Sequence, residues 1–599
     1  MSYIELEKGE NYDTNGAVLR NWINTAGDLK TITVEDIGLA TLENGSELFS
    51  NRQNLTDINL YTLNTANLTN MCNMFYSCVN LSNLSNFNTN NVTNMSSAFR
   101  FCHNLINVPE FNTSSVTNMA YTFMYCQNLI SVPNINFDKV IDARQIFARC
   151  DNFKNVSDLT FSNIKNVYGM FTGSINLTNI TNINLPNVFD VGMLFSECTN
   201  LRTIDGLSLG SISAINSKTV NTMFRSCSNL TTINNFYLNL HATPSGSMLQ
   251  YSSAYATTIS NITLRGNLYY LFYASNLKEV RDLTMDNGSA SNLFESCSKL
   301  TNVSNVTFIN MINNTAATAM FKDCSNLVSI SNLNTNGVTT MSNMFGGCRK
   351  LQSVPNFDTS NVTGMSGMFY MCYNLTSVPN FDTSNVTGMD EMFEYCNNLT
   401  SVPEFDTSNV TDMYGMFGYC SKLRNISNFN TSKVNVMTGM FQYCFDLTSI
   451  PNFDMSNVGS LQSTFAYCQN LTTVPNFNTS NVQYMSYTFN NCTNLTSLPN
   501  FNTTKVVDMS NMCVYCLRLV DVPQLNTSNV TVISNAFTRC NNLSDASIQN
   551  IINMCLNSNV TTYKNLSNAY IYSPFYKSNI DNSRYQNRWE ELTAAGWTY

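Results

Sequence analysis

The sequence predicts a repeat solenoid of short strands and short helical or 3₁₀ turns, wound into about 21 coils of about 24 residues. Three regularities predict it. Cys324, Cys348, Cys372, Cys396, Cys420, Cys444, Cys468, Cys492, Cys516 and Cys540 lie 24 residues apart. Cys78, Cys102, Cys126 and Cys150 keep that interval, Ser174 fills the next slot, and Cys198 resumes it. A Met-Phe or Leu-Phe pair precedes most of these cysteines, and a Val-Pro-Asn-Phe segment returns with the same period.

Residues 1–47 lack the repeat and read as an N-terminal cap or attachment region. Val18, Leu19, Trp22 and Ile23 have helical spacing, with Asn15-Gly16 before them and Gly27 after, and Thr31-Ile-Thr-Val follows as a strand. Repeat arrays need terminal elements that cover the core of the outermost coil.

Residues 48–543 form the array, and residues 375–398 show its unit clearly. The inward set is Leu375, Val378, Phe381, Val386, Met389, Met392 or Phe393, and Cys396. Met389, Met392, Phe393 and Cys396 stand at i, i+3, i+4 and i+7, the spacing of a short helix or 3₁₀ turn with one apolar face. Leu-Thr-Ser-Val and Asn-Val-Thr are β-prone but too short to stand alone, and Pro379 should end the first strand because it lacks a ladder donor. Asp382-Thr-Ser-Asn reads as a turn closed by the aspartate oxygen. One coil fixes 24 backbones while burying about seven side chains, so it cannot fold unless neighbours share its core.

Between Cys198 and Cys324 the period wanders, with Cys227, Met248-Leu249, Leu271-Phe272 and Cys297 marking degraded units. This irregular zone, about residues 228–300, is a kink, an inserted functional loop or simple drift. Two asparagine columns, Asn356, Asn380, Asn428, Asn452, Asn476, Asn500 and Asn361, Asn385, Asn409, Asn457, Asn481, read as ladders of stacked amides. Residues 544–599 read as a C-terminal cap. Ile548, Ile551, Ile552 and Cys555 suggest one helix; Tyr585, Trp589, Leu592 and Trp597 suggest a second.

Composition narrows the function. Of 599 residues only 12% are charged, against roughly 25% in an average soluble domain, and about one residue in six is asparagine. A net charge of −9 argues against nucleic-acid binding, which rests on Lys and Arg neutralising phosphates. Two histidines, His103 and His241, leave little room for His-based catalysis or Cys/His zinc sites. The charged start, Met-Ser-Tyr-Ile-Glu-Leu-Glu-Lys, lacks the apolar core of a secretory signal, and no apolar run is long enough for membrane insertion. The chain is therefore read as folding in a reducing cytoplasm, with prior removal of a signal as the alternative.

The twenty cysteines then read as one interior column of free thiols behaving as small hydrophobes, with Cys72, Cys513 and Cys555 outside it. Asp358, Asp382, Asp406 and Asp454 invite a calcium reading. Asn430, Asn478, Asn502 and Asn526 fill the same slot, so a turn acceptor is preferred, with no metal and no cofactor expected. No nucleophile–base set or phosphate loop is present, and no catalytic residue is assigned. The candidate ligand-binding residues are Tyr125, Tyr395, Tyr419, Tyr443, Tyr467 and Tyr515, which all precede a column cysteine. A row of partly exposed tyrosines offers flat amphipathic surfaces, with packing between coils as the competing reading. On the recognition reading, their replacement by Ser should abolish binding and leave stability nearly unchanged.

The unit Val-Pro-Asn-Phe-Asp-Thr-Ser-Asn-Val-Thr-x-Met-x-x-Met-Phe-x-x-Cys-x-Asn-Leu resembles the BspA-like leucine-rich-repeat surface proteins. It is most similar to the branch found in mycoplasma and lactobacillus surface proteins, over roughly residues 48–543. The resemblance implies a right-handed leucine-rich-repeat solenoid used for adhesion or recognition, without catalysis. Family members carry an export signal or anchor, and neither is evident here. Leaderless proteins with the same repeats and an end like Ala594-Ala595-Gly596-Trp597 are similar to gene products of phages infecting gut bacteria. The resulting expectation is a phage virion component, a tail or fibre protein that binds a bacterial surface glycan or protein. It would attach to other virion proteins through residues 1–47 and would be a trimer. The alternatives are a bacterial cell-surface adhesin and a ligand-free spacer.

Overall fold

A computed structural model describes residues 16–27, 29–34, 41–132, 135–157, 161–212, 220, 222–240, 248–249, 257–310, 315–561 and 586–597. His241, Asn15, Tyr585 and the Trp589 side chain, singled out in the sequence, lie outside the described residues. The chain divides into two compact units, residues 1–297 and 298–599. Each is a parallel-strand solenoid of stacked coils.

The first unit begins with α1 (Ala17–Thr25), which buries Leu19 and Ile23. Trp22 is half-buried, but Val18 is exposed, because the helix rests on one narrow face. The Arg20 side chain donates to the Ser46 carbonyl and Arg52 donates to Asn24, tying the helix to the first coil. β1 (Thr31–Thr33), β2 (Asp57–Asn59) and β3 (Asn83–Leu84) pair in parallel, aligning Ile32, Ile58 and Leu84.

Six further strands pair in parallel and in chain order: β4 (Asn155–Ser157), β5 (Asn179–Leu185), β6 (Thr203–Ile212), β7 (Thr232–Leu240), β8 (Thr258–Gly266) and β9 (Glu279–Asp286). Their register stacks Val156, Ile180, Ile204, Ile233, Ile259 and Val280, all buried. β-Branched residues facing inward on a pleated surface account for this sheet. The irregular zone therefore contains in-register sheet. Thr203 aligns with Thr232, Thr232 with Thr258 and Thr258 with Glu279, so coils of 29, 26 and 21 residues start their strands in register, with one shift between Leu209 and Ile212 at the end of β6. The length differences fall between strands, which is why the period wanders in sequence and not in space.

In the second unit β10 (Asn302–Ile309) pairs with β12 (Ser329–Asn334), and β11 (Thr315–Ala316) pairs with β13 (Val338–Thr340). The coils that follow have no regular strand in their Leu-Thr-Ser-Val-Pro-Asn stretch, save one isolated bridge between Ser497 and Asp521. Pro355, Pro379, Pro403, Pro451, Pro475 and Pro499 sit there without an N–H, and a ladder cannot run through them. Proline does more than end the first strand: it removes it. The Asn-Val-Thr segment survives as parallel bridges linking Thr340, Gly364, Gly388, Asp412 and Val436 in turn.

The Met-x-x-Met-Phe-x-x-Cys stretch is not helical, contrary to its spacing. Met392 N–H donates to Met389 O and Cys396 N–H to Phe393 O, closing two consecutive turns. Their third residues, Glu391 and Tyr395, have φ of 55° and 65°, the mark of a type II turn. Two left-handed residues per coil forbid a helix. They also aim alternate N–H groups at the next coil, where Met389, Glu391, Phe393 and Tyr395 donate to the carbonyls of Asp412, Tyr414, Met416 and Gly418 at 2.7–3.2 Å.

Inside, the whole predicted set of the 375–398 coil is buried, Met392 and Phe393 alike. Phenylalanines from Phe321 to Phe489 stack one coil apart with ring centroids 5.6–5.8 Å apart. All twenty cysteines are free and all but Cys72 are buried. Along the regular part of the column the thiol donates to the carbonyl 27 residues earlier, as Cys372 does to Phe345 at 3.2 Å and Cys420 to Phe393 at 3.1 Å, and Cys78, Cys227 and Cys297 reach the preceding coil's carbonyl at other separations. Ser174 does the same to Phe147 at 2.9 Å. Burial pushes these thiols up from their ordinary range, to about 12 at Cys198 and well upward at Cys396, Cys444 and Cys492.

After the last coil α2 (Asp545–Asn557) starts at the Ser544 cap and buries Ile548, Ile551, Ile552, Met554 and Cys555. It takes hydrogen bonds from the final coil at the Met554 carbonyl and the Ser547 hydroxyl. α3 (Gln586–Ala594) packs on α2 and buries Leu592, and Trp597 is buried just beyond it.

Candidate recognition site

The tyrosine slot lies in the second of the two turns. Tyr125, Tyr395, Tyr419, Tyr443, Tyr467 and Tyr515 all have φ between 62° and 67°, a region L side chains enter reluctantly. The same slot holds Gly173, Gly347, Asn491 and Asp323, residue types that tolerate this backbone. That mixture was the sequence signal for the turn, masked by the helical spacing of its apolar neighbours.

Four of the six tyrosines form one stack. Ring centroids are 4.2 Å apart for Tyr395–Tyr419, 4.4 Å for Tyr419–Tyr443 and 4.2 Å for Tyr443–Tyr467, with planes within 17°. Tyr125 stacks on Phe101 in the first unit instead. Tyr515 stands apart, 43% exposed, with the Arg539 guanidinium over its ring, because Asn491 interrupts the column. Tyr419 and Tyr443 have a neighbouring ring on both faces, and Tyr395 and Tyr467 close the two ends of the stack. In these four tyrosines the faces turned toward one another pack between coils, the arrangement that competed with recognition in the sequence.

Carboxylates crowd one end of this stack. Burial, then the Glu391 charge, push the Glu394 carboxyl up to about 7. Glu391 is raised by burial and by Asp390 and Asp412, and Asp412 by burial and Asp390. The phenols of Tyr370, Tyr395, Tyr419 and Tyr443 are raised too, chiefly by burial. Among the described residues no group of three His, Cys, Asp or Glu side chains is placed to hold a metal ion.

The aspartate slot closes Asx turns. Asp358, Asp382, Asp406 and Asp454 accept from the N–H two residues on at 2.9–3.1 Å, and Asn430, Asn478, Asn502 and Asn526 do likewise. The Ser384 hydroxyl and N–H hold Asp382 below the usual carboxylate range, and Ser408 and Ser456 do the same for Asp406 and Asp454.

The asparagine columns differ from the expected amide ladders. Asn385, Asn409, Asn457 and Asn481 donate to a serine carbonyl of the preceding coil at 2.5–2.8 Å, and Asn361 bonds the Ser360 hydroxyl. Amide-to-amide bonding occurs two residues after the cysteine, along Asn80, Asn104, Asn128 and Asn152 at 3.1–3.4 Å. The column Asn356, Asn380, Asn428, Asn452, Asn476 and Asn500 is exposed, and none of its amides bonds to protein. Ser353, Ser377, Ser401, Ser449 and Thr473, three residues earlier in each coil, are exposed and unbonded in the same way. Half-buried prolines lie between these two columns.

Five stretches, residues 43–158, 142–262, 288–396, 372–473 and 445–551, match the family described as Mycoplasma protein of unknown function, DUF285. The chain belongs to the DUF285 family. Its DUF285 repeats take in nearly all the described coils, and the tyrosine stack, the Asx turns and the exposed amide column all fall inside them.

Solved leucine-rich-repeat proteins are structural neighbours of these DUF285 coils. One from Bacteroides ovatus shares 14% identity over 72% of this chain and 81% of its own, with a TM-score of 0.28. A leucine-rich cell surface protein from Faecalibacterium prausnitzii shares 15% identity over 76% and 88%, with a TM-score of 0.20. An internalin from Listeria monocytogenes shares 12% identity over 68% and 93%, with a TM-score of 0.22. No curated protein sequence matches the chain. No described helix is long and apolar enough to cross a membrane.

Proposed function

We propose that this DUF285 protein is a non-catalytic recognition protein acting as an adhesin at a bacterial surface, with α1 and the two C-terminal helices closing the ends of the array. One observation carries the reading: the second unit fixes outward-facing amides and hydroxyls, coil after coil, on a rigid buried core and leaves them without protein partners. Many shallow contacts of one kind suit binding to an extended partner, by glycan or protein chemistry alike. The virion reading from the sequence has no counterpart among the relatives described above, whereas the surface-protein reading does.

The test is binding of the purified, labelled chain to intact bacterial cells, followed by flow cytometry, with a glycan array in parallel. Saturable binding to cells supports the proposal. Binding to neither cells nor glycans, with the chain folded by circular dichroism, would leave only the spacer alternative.

A further inference from the structure

Two asparagine columns occupy the same coils and have opposite fates. In one, the amides of Asn385, Asn409, Asn457 and Asn481 are bonded to the preceding coil. In the other, Asn356, Asn380, Asn428, Asn452, Asn476 and Asn500 are exposed and bond to no protein group, so the fold gives no reason for an amide there. Glu404 is the single interruption within that span.

The surroundings of this second column define a chemistry. Ser353, Ser377, Ser401, Ser449 and Thr473 form a parallel row of unbonded hydroxyls, and Pro355, Pro379, Pro403, Pro451, Pro475 and Pro499 supply a half-buried apolar ridge between the rows. Coils repeat at the inter-strand distance of about 4.8 Å, and the full triplet of hydroxyl, pyrrolidine and amide stands in the coils of Asn356, Asn380, Asn452, Asn476 and Asn500; between them Glu404 replaces the amide in one coil, and Asn425 and Ser427 replace the hydroxyl and the proline in the next. Aspartates flank the face beyond the amides, each tied into its own Asx turn.

We propose that this face binds a linear, uncharged polysaccharide lying along the stacking direction, one sugar ring per coil. The inference rests on the recognition reading above and names its ligand class. A pyranose has an apolar C–H face that fits a proline ridge and equatorial hydroxyls that pair with amides and serine hydroxyls on either side. A β-1,4-linked chain advances by about one coil spacing per ring, each ring turned over relative to the last, so rings meet the same kinds of group in every coil that keeps the triplet. An amide both donates and accepts, which suits hydroxyls and carries no preference for a charged polymer. The flanking aspartates disfavour an anionic polymer.

The experiment measures binding of the full chain to cello- and chito-oligosaccharides of two to six rings by calorimetry, with a heparin oligosaccharide as the anionic comparison. Affinity should rise with each added ring, and heparin should bind weakly or not at all. The triple variant Asn380→Ala, Asn452→Ala, Asn476→Ala should lose affinity for the six-ring probes by roughly tenfold or more, as expected for one to two net hydrogen bonds, with an unchanged melting temperature.

The variant Asn385→Ala, in the bonded column, should leave affinity unchanged. Absence of binding by both neutral series, affinity independent of length, or equal loss in both variants overturns the proposal. Intact-cell binding separates the two readings. If the triple variant still binds cells like the parent, the recognition protein stands and this face is not its site. If the variant loses cell binding while no neutral oligosaccharide binds the parent, the site stands with a protein ligand, and the polysaccharide is overturned.

Discussion

Replacing Cys420 separates the thiol's volume from its hydrogen bond. Its Sγ donates to the Phe393 carbonyl at 3.1 Å in a wholly buried position. That carbonyl also accepts from the Cys396 N–H, so it keeps one partner when the thiol is removed. Cys420→Ala deletes one buried heavy atom, worth roughly 1 kcal/mol as transfer plus cavity. It also removes a weak donor, worth about 0.5–1 kcal/mol. The total is about 1–2 kcal/mol.

Cys420→Ser keeps a donor of nearly the same size, and Ser174 shows that a hydroxyl makes this bond at 2.9 Å. Its cost should stay below about 1 kcal/mol, the residual penalty for burying a more polar group. Urea unfolding of both variants, followed by circular dichroism, reads the difference as a midpoint shift at constant m-value. Ser being as damaging as Ala would refute the donor role and leave volume as the reason for cysteine.

The remaining predictions use the same column and its neighbours. Because folded thiols such as Cys78, Cys198 and Cys555 sit near 12 and unfolded ones near 8.5, the unfolded chain releases protons first as pH rises. Stability should be full below about pH 8 and fall steeply between pH 9 and 12, and an unfolding midpoint that is flat across that window would contradict the burial. Tyr419→Ser removes two stacked faces and should destabilise by about 1–3 kcal/mol in the same assay, whereas a surface platform would lose almost nothing. Asp382→Asn should change the melting temperature negligibly and Asp382→Ala should lower it, because the slot needs an acceptor for Ser384. Calcium up to millimolar levels should leave the melting temperature unmoved, and a clear rise would revive a metal reading.

Much of the fold was legible because each coil repeats one address book of side chains. The cysteine column, the inward set from Leu375 to Cys396 and the Asx acceptors were all readable from a residue type recurring at one offset. The turn was not, because Met389, Met392, Phe393 and Cys396 take the same spacing in two type II turns as on a helix face. Glycine at 173 and 347, rather than hydrophobicity, carries the difference.

Strand extent depended on proline at a single position, and the sheet from β5 to β9 is long where that proline is absent. The tyrosine column was found, but its faces close on one another at 4.2–4.4 Å. Sequence gives the spacing of rings and not their tilt. Likewise, two asparagine columns that look alike in the sequence differ only in whether a carbonyl of the neighbouring coil lies within reach.

Nineteen of the twenty sulfhydryls are buried, eighteen in the coils and Cys555 on α2, and Cys72 alone is half-open to solvent. A maleimide dye added to the native protein should therefore attach at one place, near the start of the array and far in sequence from the amide column. The molecule thus comes with its own handle for single-site labelling, and an oxidising exterior would find almost nothing on it to cross-link.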